Sequence, residues 1–202
     1  MLSKTYEKIM DLFHDHHGYM SFEQLRDFGI TVLQMRELEE EGVLERFTRG
    51  WYWCNNCGYT KPADYKYIEI AKMNPDAVFC LDSACFLAGL DVIEPEVIKV
   101  ATAREDRRKM DIVHPIKRYY LTHIEVGRYI KVTKSEFGSY RYFSPERALY
   151  DCLNAPAKVD SKNGRKIQTL SARYKERINR YGSFLKKLKS QEKQERKRSA
   201  EE

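Results

Sequence analysis

Two periods of apolar and polar residues succeed one another along the amino-terminal part of the chain. The first is helical: Tyr6, Ile9, Met10 and Phe13 recur at i, i+3, i+4 and i+7, share one face, and are followed by a stop at Gly18. Ser21 with Gln24 is a capping-box pattern for a short second helix through Leu25 and Phe28, ended by Gly29. Thr31 caps a third helix that ends near Gly42. From there the period falls to two: Val43 to Phe47 and Trp51 to Trp53 read as strands flanking the turn Thr48-Arg49-Gly50.

Three helices and a hairpin predict a winged helix-turn-helix over residues 1–54, in an α+β chain. Residues 55–64, with Asn55, Asn56, Gly58, Pro62 and Asp64, read as a linker. Residues 65–189 read as a mixed α/β domain. Its expected parts are a helix over Tyr65 to Met73, a strand over Ala77 to Cys80, and a helix capped by Asp82 and running through Leu90. Strands are expected over Val97 to Thr102, Arg118 to Ile124, Tyr129 to Val132 and Tyr140 to Phe143. Ser144-Pro145-Glu146 opens another helix, with Ser as cap and Pro in the first turn. Ile167, Leu170, Tyr174, Ile178, Tyr181, Leu185 and Leu188 then form one apolar stripe, as on a helix of about seven turns. It packs either on the α/β domain or on a partner. Gly182 weakens that helix by roughly 1 kcal/mol relative to Ala, and residues 190–202 carry no stripe and read as a basic, frayed tail.

Composition narrows the class. With 202 residues, 42% apolar and 12% aromatic, the chain can build its own core, and no apolar run approaches a membrane span or export signal. It reads as soluble and cytoplasmic, and its five cysteines suggest reduced thiols rather than a disulfide framework. The net charge of +6 is uneven: residues 1–61 carry −3, residues 62–161 are neutral, and residues 162–202 carry +9. That carboxyl-terminal charge attracts nucleic acid or an acidic partner, or else marks a solvated basic helix.

On a helical wheel with Thr31, Met35, Leu38 and Gly42 inward, Leu33, Arg36 and Glu37 point away and Gln34 lies at the margin. Such residues read base edges: Arg favours guanine, Gln adenine, and Leu touches a thymine methyl. Arg46 and Arg49 on the hairpin would contact phosphate as a wing; the alternative is an ordinary solvated face. Glu37, Glu39, Glu40 and Glu41 repel phosphate, so only the first turns of this helix suit a groove, with further affinity from the basic tail or from dimerisation on DNA.

Cys54 and Cys57 form a C-x2-C pair, half of a tetrahedral zinc site, but no second pair follows; the alternative is a turn holding two thiols. His14, His16 and His17 cluster where imidazoles hydrogen-bond the last carbonyls of a helix. No phosphate loop, G-x-S-x-G elbow or H-E-x-x-H is present, so neither catalysis nor a cofactor is expected. Glu96 and Lys99, with Asp91 upstream, suggest a metal-dependent nuclease only distantly, because two intervening residues place them on opposite faces of a strand.

The order of parts, from Arg49-Gly50-Trp51-Tyr52 through Asp82-Ser83-Ala84 and Gly89-Leu90 to Ser144-Pro145-Glu146-Arg147-Ala148-Leu149-Tyr150-Asp151, resembles the AbiEi family of abortive-infection antitoxins. The match spans roughly residues 5–155. The resemblance implies a protein that binds inverted repeats upstream of its own operon and counteracts a cognate nucleotidyltransferase toxin without a lasting complex. It places Arg36, Arg46 and Arg49 on the DNA-facing side, and Ser83, Ala84, Arg147 and Asp151 on helices of an antitoxin domain. The plain alternative for Arg147 and Asp151 is an i, i+4 pair. The rival functional class is a winged-helix regulator with no toxin. The acidic third helix, the Cys pair and the short basic end depart from the family pattern.

Overall fold

The computed structural model describes residues 3–122 and 127–201. The chain divides into two compact units: Met1–Ala77 with Glu105–Pro115 and Val132–Arg141, and Val78–Arg104 with Ile116–Lys131 and Tyr142–Glu202. Helices and strands mix in an α+β arrangement.

The first unit opens with α1 (Ser3–Asp15), β1 (Tyr19–Ser21), α2 (Phe22–Asp27) and α3 (Val32–Glu40). The hairpin β2 (Leu44–Thr48) and β3 (Trp51–Cys54) and the helix α4 (Tyr65–Met73) follow. Ile9 and Phe13 of α1 are fully buried with Leu25 of α2 and Leu38 of α3, each contributing about 1.5–3 kcal/mol by leaving water. The three helices and the hairpin fall where the periodicity puts them. The strand β1 does not feature in the sequence reading: it pairs antiparallel with β3, Tyr19 opposite Trp53 and Ser21 opposite Trp51, and makes β3 the centre of a three-stranded sheet. Residues 55–64, expected as a linker, hold turns fastened by hydrogen bonds from Asn55 N–H to the Val43 carbonyl and from Asn55 Nδ2 to the Gly42 carbonyl.

The second unit contains β4 (Val78–Phe79), α5 (Leu81–Leu87), β5 (Ile98–Ala103) and β6 (Ile116–Leu121). β5 runs antiparallel to β4, with Val78 opposite Ala101, and parallel to β6, with Ile98 opposite Ile116. Ile98 to Thr102 are all buried, as suits a strand with neighbours on both edges. Positions 123 and 124 of the strand expected over Arg118 to Ile124 lie outside the described residues. The hairpin β7 (Ile130–Ser135) and β8 (Gly138–Phe143) is shared, its tip in the first unit and its ends in the second. Then come α6 (Pro145–Asn154), two short 3-10 turns, α7 (Gly164–Arg173) and α8 (Lys175–Glu201).

Several local expectations need correction. Cys80, not Asp82, is the N-cap of α5, because the Asp82 carboxylate is taken by Lys99 Nζ at 2.7 Å and by the Asp160 N–H at 2.9 Å. Ser144 does cap α6 in position, yet its hydroxyl makes no capping bond and is buried without a partner. The single carboxyl-terminal helix is two, broken at Tyr174, and α8 continues as helix to Glu201 where fraying was expected beyond Lys189. Gly182 is required by contact: a Cβ there would lie 2.9 Å from Tyr150 Cε2.

Gly18 has the strictest requirement in the fold. Its φ is +82°, and a Cβ would sit 2.3 Å from the Trp53 ring. Gly18→Ala is expected to destabilise the protein by about 2–4 kcal/mol, from left-handed strain plus overpacking, read as a lowered urea midpoint with unchanged slope.

Candidate functional site

A capping box positions α3. Thr31 Oγ1 accepts from the Gln34 N–H at 3.3 Å while Gln34 Oε1 accepts from the Thr31 N–H at 2.8 Å, repeating the Ser21 and Gln24 box at the start of α2. Met35 and Leu38 anchor the helix in the core. Its first turn faces solvent: Val32 is 64% and Leu33 67% exposed, and Arg36 is exposed one turn on, paired with Glu40 at 3.4 Å. Of the residues placed inward on the wheel, Thr31 and Gly42 are exposed. Gln34 is committed to the cap, so its amide oxygen is not free to read a base, and Glu37 is half-buried.

The hairpin is pinned to the start of α2 by the Phe22 N–H donating to the Gly50 carbonyl at 2.7 Å. Arg46 and Arg49 are both exposed, Arg46 Nε donating to the Thr48 carbonyl at 3.4 Å. A register shift between Arg46 and Thr48 turns the end of β2. There the chain brings in a segment that sequence reading passed over. Thr48 Oγ1 donates to the Asp111 carbonyl at 2.5 Å, Thr48 bridges Ile112, and the Val113 N–H donates to the Phe47 carbonyl at 3.1 Å. The basic run Arg107-Arg108-Lys109 therefore lies just upstream of a segment bound to β2. The charge run is visible in the sequence, but nothing in one dimension attaches Asp111, downstream of it, to Thr48, 63 residues away.

Asp106 holds this run in shape. It accepts from Asn74 Nδ2 at 2.8 Å and from both the N–H and Nε of Arg108 at 3.0 Å, while Arg108 also reaches Asp76 at 2.5 Å. Burial alone would raise the Asp106 carboxyl, but the hydrogen bonds from Arg108 and Asn74 overcome it and hold the pKa at about 2. Acid on the neighbouring elements is partly answered: Lys61 Nζ pairs with Glu45 at 2.9 Å and with buried Glu69 at 3.0 Å. His114 Nε2 meets the other Glu69 oxygen at 2.6 Å.

The remaining candidates scatter. Cys54 and Cys57 are buried thiols, Cys54 directed at Met10 Sδ and Cys57 at the Cys54 carbonyl. Burial pushes the Cys54 thiol up to about 12, away from the thiolate that a metal needs. His14 and His16 bond the carbonyls of Cys57 and Leu12, and His17 bonds the Tyr59 hydroxyl. Among the described residues no three His, Cys, Asp or Glu side chains gather as a metal site. Asp91, Glu96 and Lys99 pair separately with Lys166, Lys162 and Asp82. Ser83 Oγ accepts from the Lys99 N–H at 2.9 Å and Ala84 is fully buried. Arg147 and Asp151 do form the i, i+4 pair, at 3.6 Å, with Arg147 buried over the Phe143 ring.

No family model and no curated protein matches the chain. Among solved structures it is similar to the crystal structure of the RV2827C protein from Mycobacterium tuberculosis, with a TM-score of 0.56 at 14% identity over 80% of this chain. The chain spans 64% of that protein, under two thirds of its length, and the likeness is one of fold alone. No described helix is long and apolar enough to cross a membrane.

The Asp106 contacts carry a pH signature. Its folded pKa lies below that of an unfolded carboxyl, so its contribution is complete above about pH 4 and is lost as pH falls toward 2. Asp106→Asn is expected to cost about 1–2 kcal/mol at neutral pH, and the difference from wild type in urea unfolding should shrink across that acid window.

Proposed function

We propose that the first unit is a winged helix-turn-helix that binds duplex DNA, with α3 entering the major groove by its first turn and the β2–β3 hairpin resting on phosphate. The observation carrying this reading is the exposure of Val32, Leu33 and Arg36 on a helix that is otherwise held by Met35, Leu38 and a capping box. Exposed aliphatic groups at a helix N-terminus suit thymine methyls, the Arg suits guanine, and the positive end of the helix dipole favours phosphate. Arg46 and Arg49 supply the wing, and Arg107 with Lys109 extends its charge. The acidic second half of α3 stays out of the backbone's reach, so binding depends on a second copy or on the +9 carboxyl-terminal stretch.

The motif order shared with the AbiEi antitoxins supports the fuller reading: an operator-binding autorepressor, acting in the cytoplasm, that restrains a cognate nucleotidyltransferase toxin. Under that reading Ser83, Ala84, Arg147 and Asp151 belong to the antitoxin part. Ser83 and Ala84 serve it through packing, and Arg147 and Asp151 through the wall they share.

Fluorescence anisotropy on duplexes carrying the upstream inverted repeats tests the DNA reading. Arg49→Ala should weaken binding equally across sequences and lower the salt slope by about 0.9, whereas Arg36→Ala should cost about 1–3 kcal/mol at one base position. Unchanged affinity in both variants removes α3 and the hairpin from DNA recognition. Co-expression with a neighbouring nucleotidyltransferase gene should restore growth if the chain is its antitoxin; continued arrest assigns it to regulation without a toxin.

A further inference from the structure

The second unit carries a half-open cavity of about 380 Å³, within the range of small-molecule sites. Its walls combine two chemistries. Arg147, Lys158 and Lys189 line it against one carboxylate, Asp151, so the cavity is electropositive. Tyr119, Tyr150 and Tyr181 supply aromatic surface, with the Tyr150 and Tyr181 rings edge to face at 5.1 Å.

Three details mark this space as a built site. The Tyr119 hydroxyl oxygen is buried and has no hydrogen-bond partner, a donor and acceptor left without the water or protein group that such atoms require. Burial pushes its phenol above the ordinary value, so it remains a donor at neutral pH. Arg147 is immobilised before any ligand arrives, donating to the Arg128 carbonyl at 2.6 Å and lying over the Phe143 ring at 3.4 Å. Leu81, also in the lining, holds a φ of +53°, a left-handed conformation that a branched residue adopts only when its surroundings impose it.

We propose that this cavity binds a nucleoside monophosphate. The phosphate is met by Lys158, whose Nζ lies 5.0 Å from the Tyr119 ring centroid, and by the other two cations of the lining. The planar base lies on tyrosine faces, and its edge finds a donor in the Tyr119 hydroxyl and acceptors in Asp151 and in the side-chain oxygen of Asn154, whose amide nitrogen is engaged with the Tyr150 carbonyl at 2.8 Å. A bare inorganic anion would use the cations and leave the aromatic surface and the buried hydroxyl unserved. The inference concerns the second unit and stands apart from the DNA reading of the first.

Calorimetric titration of the full chain with AMP, GMP, CMP and UMP, and separately with inorganic phosphate, tests it. At least one nucleotide is expected to bind with a Kd below about 1 mM, with inorganic phosphate at least about tenfold weaker. Lys158→Ala should weaken that nucleotide about tenfold, and Tyr119→Phe, which keeps the ring, several-fold, both with unchanged melting temperature. Absence of binding by all four nucleotides, equal affinity for inorganic phosphate, or a Kd indifferent to Lys158→Ala would each overturn the proposal. DNA anisotropy on the same variants separates its failure from that of the DNA reading, since neither substitution lies in the first unit.

Discussion

The larger unit depends on one buried ion pair. Asp82, fully buried in the first turn of α5, receives Lys99 Nζ from the central strand β5 through both oxygens, at 2.7 and 2.8 Å. The same carboxylate takes the Asp160 N–H ahead of α7, and the neighbouring Ser83 hydroxyl accepts the Lys99 N–H. Helix, strand and the approach to α7 are thereby fixed by a single charge pair. A buried charge deprived of its partner costs about 3–5 kcal/mol, so neither residue can change alone without loosening the others. Cys80 and Leu81, immediately before Asp82, and Ala101, two residues after Lys99, line the cavity, whose inner wall thus inherits its position from this pair. The Ser-Ala pair has the same local reason: Ser83 accepts from the Lys99 N–H of β5, and Ala84 is fully buried in the core of this unit.

The first unit carries a different constraint, a short helix whose negative charge is concentrated toward one end. Its carboxylates crowd the second half of α3, where Arg36 answers Glu40, while the first turn exposes aliphatic side chains and the helix N-terminus. The polarity of that helix therefore sets how it could approach DNA. The segment bound to β2 at Asp111 follows directly on the basic run Arg107-Arg108-Lys109, of which Arg108 is paired with Asp76 and Asp106.

Much of this was legible in the chain, and the omissions have physical causes. Helix starts with side-chain caps were legible because Ser21 and Gln24 announce themselves by spacing; Thr31 and Gln34 repeat that spacing, and recognising it would have removed Gln34 from the base-reading set. β1 was hidden because three residues are too few to show alternation. The break at Tyr174 was hidden because the apolar stripe continues across it: Ile167 and Ile178 are both buried on the two sides, and no Gly or Pro marks the join. Asp82 in the first helical turn looks like a cap from sequence, since its pairing with Lys99 is set by strand placement rather than by local spacing. At the candidate interface the exposure of Leu33, Arg36, Arg46 and Arg49 followed from periodicity, whereas the Asp111 to Val113 segment reaches β2 only through tertiary structure.

The interleaving of the two units constrains how the molecule comes into being. The polypeptide passes between them five times, at 77/78, 104/105, 115/116, 131/132 and 141/142. An amino-terminal domain ordinarily matures on the ribosome while the rest is still being made. Here the first unit lacks its last segment until Arg141 has emerged, and neither unit can be excised as one uninterrupted reading frame. Such a chain is inherited whole, and recombination that swaps one half for a foreign domain would leave both halves incomplete.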